Sequence, residues 1–188
     1  MYHAPGLFFW QVPIEVCLSA GLLGDEQAAI LAEAGLDRLN HNLNTSESHY
    51  PSICSTHTFQ DRVNTLLAAR RHGVEPCSGL IVGMGETSDD LIDVALKLRE
   101  LEVPSIPVNF LIPIEGNPVQ GSGELNPESC LRALVMLRLI NPRAEIRISA
   151  GREGHLRGLG ALALWPANSL FIAVSYTHLR AHATEAEL

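Results

Sequence analysis

From residue 14 to residue 149, short apolar runs rich in β-branched side chains alternate with stretches whose apolar positions recur every three to four residues. The runs are Ile14-Glu15-Val16-Cys17, the segment ending Leu39-Asn40-His41-Asn42, Pro76 to Gly83, Ile106 to Ile112, and Glu145 to Ser149. Each carries a Cys, Asn, Gly or Arg at or near its end, and a helix-like segment follows. The spacing predicts helices over 25–34, closed by Gly35, and over 59–72, closed by Gly73. A third is predicted from Thr87 to about Leu101, with Ser88, Asp89 and Asp90 at its start, and a fourth over 127–139 behind an Asn126 cap. Strands are predicted over 36–39, 74–82, 106–112 and 144–149, the last being the final clear strand. Residues 41–58 are polar and read as a long functional loop, and 113–126, with Gly116, Pro118, Gly121 and Gly123, as a surface loop.

Strands of four to eight residues alternating with helices of about a dozen form βα units, and such units build parallel sheets. The fold class is therefore α/β, a partial (β/α)8 TIM-type barrel. A closed barrel of this kind has eight strands and about 250 residues. Five strands in 188 residues predict roughly the last five βα units of a barrel. Residues 1–13 lack the βα rhythm, 14–173 carry the partial barrel, and 174–188 form a polar tail that reads like the translation of a sequencing adaptor.

Composition narrows the partners. A formal net charge of −8 and a pI near 5.4 disfavour nucleic acid and anionic membrane, both of which need a basic surface. No apolar run reaches the roughly 18 residues of a membrane span, so the cytoplasm and small-molecule ligands are the expectation. Cys17, Cys54, Cys77 and Cys130 show no CxxC spacing, which leaves free thiols or metal ligands.

Barrel strands gather their ends around one mouth, so polar residues on or just past a strand are the candidates for chemistry. Cys17, Cys77 and Arg147 stand where Val or Ile would satisfy a core. They fit either buried small side chains with an ion-paired arginine, or thiolates on iron with a guanidinium offsetting their charge. Gly79-Leu80-Ile81-Val82-Gly83-Met84-Gly85-Glu86 fits a tight βα turn or a backbone cradle for an anionic ligand. Asn40, His41, Asn42 and Asn44 form a cluster that suits turns or ligand hydroxyls, and Asn109 is an amide inside an apolar strand that needs a partner. Cys130 reads as core, Cys54 stays open, and the histidines have no metal spacing.

The strings VCLSAG, LDRLNHNLNTS, THTFQDRV, CSGLIVGMGET, PVNFLIPIEGNP and IRISAGRE, in this order, resemble the biotin synthase family of radical S-adenosylmethionine (SAM) enzymes over about 14–173. The resemblance implies a (β/α)8 barrel with a [4Fe–4S] cluster that cleaves SAM and a [2Fe–2S] cluster whose sulfur is inserted into dethiobiotin to give biotin. It implies Cys17, Cys77 and Arg147 as [2Fe–2S] ligands and Asn42 and Asn109 as dethiobiotin ligands. Asn40, Asn44, Gly79, Ile81, Gly83 and Glu86 would lie beside SAM. A reducing electron donor such as flavodoxin and a homodimer in the full-length form belong to the same expectation. Three departures stand out: the chain holds no CxxxCxxC for the [4Fe–4S] cluster, the third cysteine expected on the [2Fe–2S] cluster is missing, and Asn44 replaces the family's usual Asp. The polypeptide alone is therefore expected to be inactive. The remaining alternatives are another radical SAM barrel and a cluster-free scaffolding domain.

Overall fold

Three of the four long helices begin at a side chain that satisfies their free amides. In the computed structural model, which describes residues 14–113 and 125–171, Thr58 accepts from the Asp61 amide and Asp61 accepts from that of Thr58. The same reciprocal box joins Thr87 to Asp90 and Asn126 to Ser129. Gly35 and Gly73, at φ 83° and 78°, stop the first and the third helix.

Helices α1 (Asp25–Glu33), α2 (Tyr50–Ile53), α3 (Phe59–Arg71), α4 (Ser88–Glu100), α5 (Pro127–Ile140) and α6 (Arg152–Leu156) accompany seven strand segments. These are β1 (Cys17–Leu18), β2 (Arg38–Asn40), β3 (Glu75–Cys77), β4 (Leu80–Val82), β5 (Ser105–Phe110), β6 (Glu145–Ile148) and β7 (Ser169–Leu170). All pairings are parallel in the order β1-β2-β3-β5-β6-β7, and β4 pairs with β5 as well. The result is a curled half-barrel, as the βα alternation predicts.

Side chains alternate across each strand. Ile106, Val108 and Phe110 of β5 and Ile146 and Ile148 of β6 join Leu66, Val94, Leu98, Leu134 and Leu137 of the helices in one buried cluster. Each such side chain contributes about 2 kcal/mol of burial. The other face of the strands bears Arg38, Asn40, Cys77, Ser105, Asn109, Glu145 and Arg147, so the polar residues share the concave side.

Four expectations need correction. The strand expected over 74–82 is two, broken at Ser78-Gly79, because a Cβ on Gly79 would lie 1.8 Å from the Pro107 carbonyl oxygen and the chain swings past β5 there. The strand expected at 36–39 sits at Arg38–Asn40, where its hydrogen bonds to β1 and β3 begin. β7 is an extra strand, too short at two residues to show periodicity, and residues 41–58 contain the one-turn helix α2. Expectations for 1–13, 114–124 and 174–188 lie outside the described residues. Among the described residues no helix is long and apolar enough to cross a membrane.

Candidate functional site

Register brings the polar residues into layers. Asn40 pairs with Cys77, Cys77 with Ser105 and Ser105 with Glu145, so four neighbouring strands offer one ring of polar side chains at the lower part of the half-barrel. Cys17 enters this ring from β1. The neighbouring Cys77, with the positive charges of Arg147 and Arg38, brings the Cys17 thiol down to about 7 against the effect of burial. The Cys77 thiol is pushed well above the usual range by Cys17 and by burial. The structure thus places both sulfurs on one side of the sheet, with Arg147 close enough to act on each.

Arg147 is anchored on three sides. Its Nη2 donates to Glu145 at 2.6 Å, its Nε to the Ser169 hydroxyl at 3.1 Å, and its guanidinium lies 5.0 Å from the centre of the Phe171 ring. Ser105 donates to the same Glu145 oxygen at 2.9 Å. Burial raises the Glu145 carboxyl, but Arg147, Ser105 and Ser169 outweigh it and hold the group below its ordinary range. Ser105, Glu145, Ser169 and Arg38 are the members of this site that sequence reasoning missed. The signal for Glu145 was present, since period two puts residues 145 and 147 on one face.

Of the amides, Asn42, Asn44 and Asn109 lie nearer the mouth than Asn40. Asn109 stands four residues beyond Ser105 on β5, roughly 13 Å at strand rise. It donates to the Leu80 carbonyl at 3.4 Å and accepts from the Ala150 amide at 3.2 Å. Asn42 accepts from the Gly79 amide at 3.0 Å, which leaves its side-chain NH2 free of that bond, while Arg62 donates to its backbone carbonyl at 2.8 Å. Asn44, at φ 72°, bridges in parallel to Leu80 through the Gly79 carbonyl and the Ile81 amide. Asn40 donates to Ser19 at 3.0 Å, and its Oδ1 is buried without a partner.

At the turn after β4, the Glu86 carboxylate accepts from the Gly83 and Met84 amides, each at 2.6 Å. Ile81 pairs with Asn109 across the sheet. Gly79 is required by the Pro107 carbonyl, and Gly83 by its φ of 104° and by Leu125. His41, also just past β2, is 6% exposed with an unpartnered Nε2, and burial brings its imidazole down to about 4.

Among the described residues no three His, Cys, Asp or Glu side chains converge on one point. A metal group in the lower ring therefore takes Cys17 and Cys77 with Arg147, or donors from elsewhere. The paired, charge-compensated sulfurs fit such a group. A [4Fe–4S] cluster has no matching ligand set, since the chain's four cysteines include no CxxxCxxC.

The sequence aligns with curated biotin synthases. It is 62% identical over 175 residues to that of Acaryochloris marina, covering 93% of this chain and 50% of the relative, and 58% identical over 161 residues to that of Leptospira interrogans, covering 86% and 46%. The chain is a biotin synthase homologue. Residues 9–98 match the model of the radical SAM superfamily, and residues 107–186 that of the biotin and thiamin synthesis associated domain. Among solved structures, methylornithine synthase (PylB) superposes with a TM-score of 0.74 at 22% identity, covering 88% of this chain and 49% of that one. The hydrogenase maturase HydG from Carboxydothermus hydrogenoformans gives 0.65 at 16%, covering 83% and 38%. Both support the half-barrel fold. The homologue spans about half the length of the curated biotin synthases it matches.

Proposed function

We propose that this biotin synthase homologue contributes the sulfur-donor and substrate side of a radical SAM barrel that converts dethiobiotin to biotin. The reading rests on one observation above others: two neighbouring thiols stand beside a thrice-anchored arginine on the concave face. In it Cys17, Cys77 and Arg147 would supply three of the four ligands of a [2Fe–2S] cluster, which when bound supplies the sulfur.

The chain's own residues then have distinct tasks. Arg147 and Arg38 lower the charge cost of bringing two thiolates together, and Glu145 with Ser105 and Ser169 keeps the guanidinium in place. Asn42 and Asn109 offer amide groups suited to the cyclic urea of such a substrate, between the lower ring and the mouth. Asn40, Asn44, Gly79, Ile81, Gly83 and Glu86 line the side where SAM would lie; the amide at position 44 can hydrogen-bond a ribose hydroxyl but lacks the charge of a carboxylate. An electron donor such as flavodoxin, a homodimer and a cytoplasmic setting complete the proposal as the family resemblance implies them.

The test is anaerobic reconstitution with iron and sulfide, followed by visible absorption. Charge-transfer bands are expected in the chain, loss of most of that absorbance in Cys17→Ser and Cys77→Ser, and shifted bands in Arg147→Ala. A colourless protein would overturn the reading in favour of a cluster-free scaffold, and an unchanged Arg147→Ala spectrum would remove the arginine from the ligand set.

A further inference from the structure

A second group of reactive side chains lies away from the concave face. Cys54, at the end of α2, is half-buried in the wall of a cavity of about 600 Å3 that His57, Tyr50, Glu47 and Asp61 also line. Its sulfur is 3.5 Å from Nδ1 of His57 and 3.5 Å from the Thr56 hydroxyl. The Tyr50 hydroxyl lies 2.9 Å from His57 Nε2, and Arg62 Nε donates to that same hydroxyl.

The direction of these bonds follows from what each group can do. A guanidinium only donates, so the Tyr50 oxygen accepts from Arg62 and its proton is free for His57 Nε2. With Nε2 accepting, a neutral His57 carries its hydrogen on Nδ1 and gives it to the Thr56 hydroxyl at 3.0 Å, which leaves the Thr56 proton free for the Cys54 sulfur at 3.5 Å. Arg62, Tyr50, His57 and Thr56 thus form a line of donors that ends on a sulfur, and an open cavity gives that sulfur access to a small molecule. The lining includes the carboxylates of Glu47 and Asp61 and no Lys or Arg, which favours a neutral or cationic reagent over an anionic one.

We propose that Cys54 is a thiol–disulfide exchange site, at which the Arg62–Tyr50–His57–Thr56 chain prepares the sulfur to take up half of a small disulfide of neutral or positive charge. The Cys54 thiol releases its proton to solvent, and the thiolate attacks one sulfur of the disulfide. That S–S bond breaks, a new one forms to Cys54, and the other half leaves as a thiolate that takes up a proton. One disulfide is consumed and one is made, so no further oxidant enters. The electrostatics agree: hydrogen bonds from Thr56 first, and from backbone amides of Thr56 and His57, bring the thiol down to about 7 against burial. Cys17 and Cys77 take no part, so the proposal stands or falls apart from the cluster reading.

The experiment treats the 188-residue chain, anaerobically and without iron, with cystamine or with oxidised glutathione at pH 6, and follows the Cys54 peptide by mass spectrometry. Cys54 in the native chain is expected to react about fivefold faster than in the urea-unfolded chain, since the gain in thiolate outweighs the loss in nucleophilicity. Cystamine should react ahead of oxidised glutathione. His57→Gln should slow the native reaction about threefold, and Tyr50→Phe, which keeps the imidazole and the ring packing, should slow it in the same direction. Equal rates in native and unfolded chains, or rates untouched by both variants, would overturn the site. Faster reaction with the anionic disulfide would overturn the assigned charge of its reagent. Circular dichroism separates a slowed thiol from an unfolded variant, and Tyr50→Phe carries the test if His57→Gln fails to fold.

Discussion

His41 shows how much one residue's surroundings decide. It is 6% exposed, beside Arg62 and His57, and burial first, then those two charges, bring its imidazole down to about 4. An ordinary histidine titrates near 6.5, so as pH falls from 7 the unfolded chain takes up a proton that the folded one refuses. Stability is therefore lost between about pH 6.5 and 4, by about 2 kcal/mol at pH 5. Urea unfolding at pH 7 and pH 5 should show this loss and should show it reduced in His41→Gln. Asp90 works with the opposite sign. Ser46, then Thr87 and Ser48, hold its carboxyl well below the carboxylate range, so its contribution is present above about pH 4 and lost as pH falls further. Asp90→Asn should cost about 1 kcal/mol at pH 7, with the gap to the parent chain closing in acid. The NHN cluster was visible in the sequence as a polar string; that His41 turns toward α3 while Asn42 caps Gly79 was not, because that division is made by the neighbouring strand and helix.

At the scale of elements, the break between β3 and β4 is the decisive feature. The short stretch from Val74 to Val82, between Gly73 and Gly83, reads as one strand. The close approach of the Pro107 carbonyl to Gly79, together with the Asn44 bridge to Leu80, divides it in two. This break lets Asn42 reach the Gly79 amide and lets Ile81 face Asn109. Gly79→Ala would put a carbon 1.8 Å from a backbone oxygen, and strand β5 would have to shift. A loss of at least about 2 kcal/mol in urea unfolding is expected. Helix boundaries were legible because capping is local: Thr58, Thr87 and Asn126 stand within three residues of the partners they bond. Strand β7 was not, since two residues carry no period.

At the scale of the whole molecule, the half-barrel joins residues 130 positions apart, Cys17 and Arg147, on one concave face. The same chain offers no CxxxCxxC, so with SAM and a strong reductant it should form no 5′-deoxyadenosine by itself, as chromatography of the reaction mixture would show. Alternation of apolar runs and amphipathic helices determined the βα architecture, and the motif strings determined the family, because both are written in neighbouring residues. Which polar side chains meet was decided only by the tertiary structure. Glu145 and Ser105 hold Arg147, and Arg62 reaches both Asn42 and Tyr50, because strand register and helix packing bring together residues that no sequence period relates.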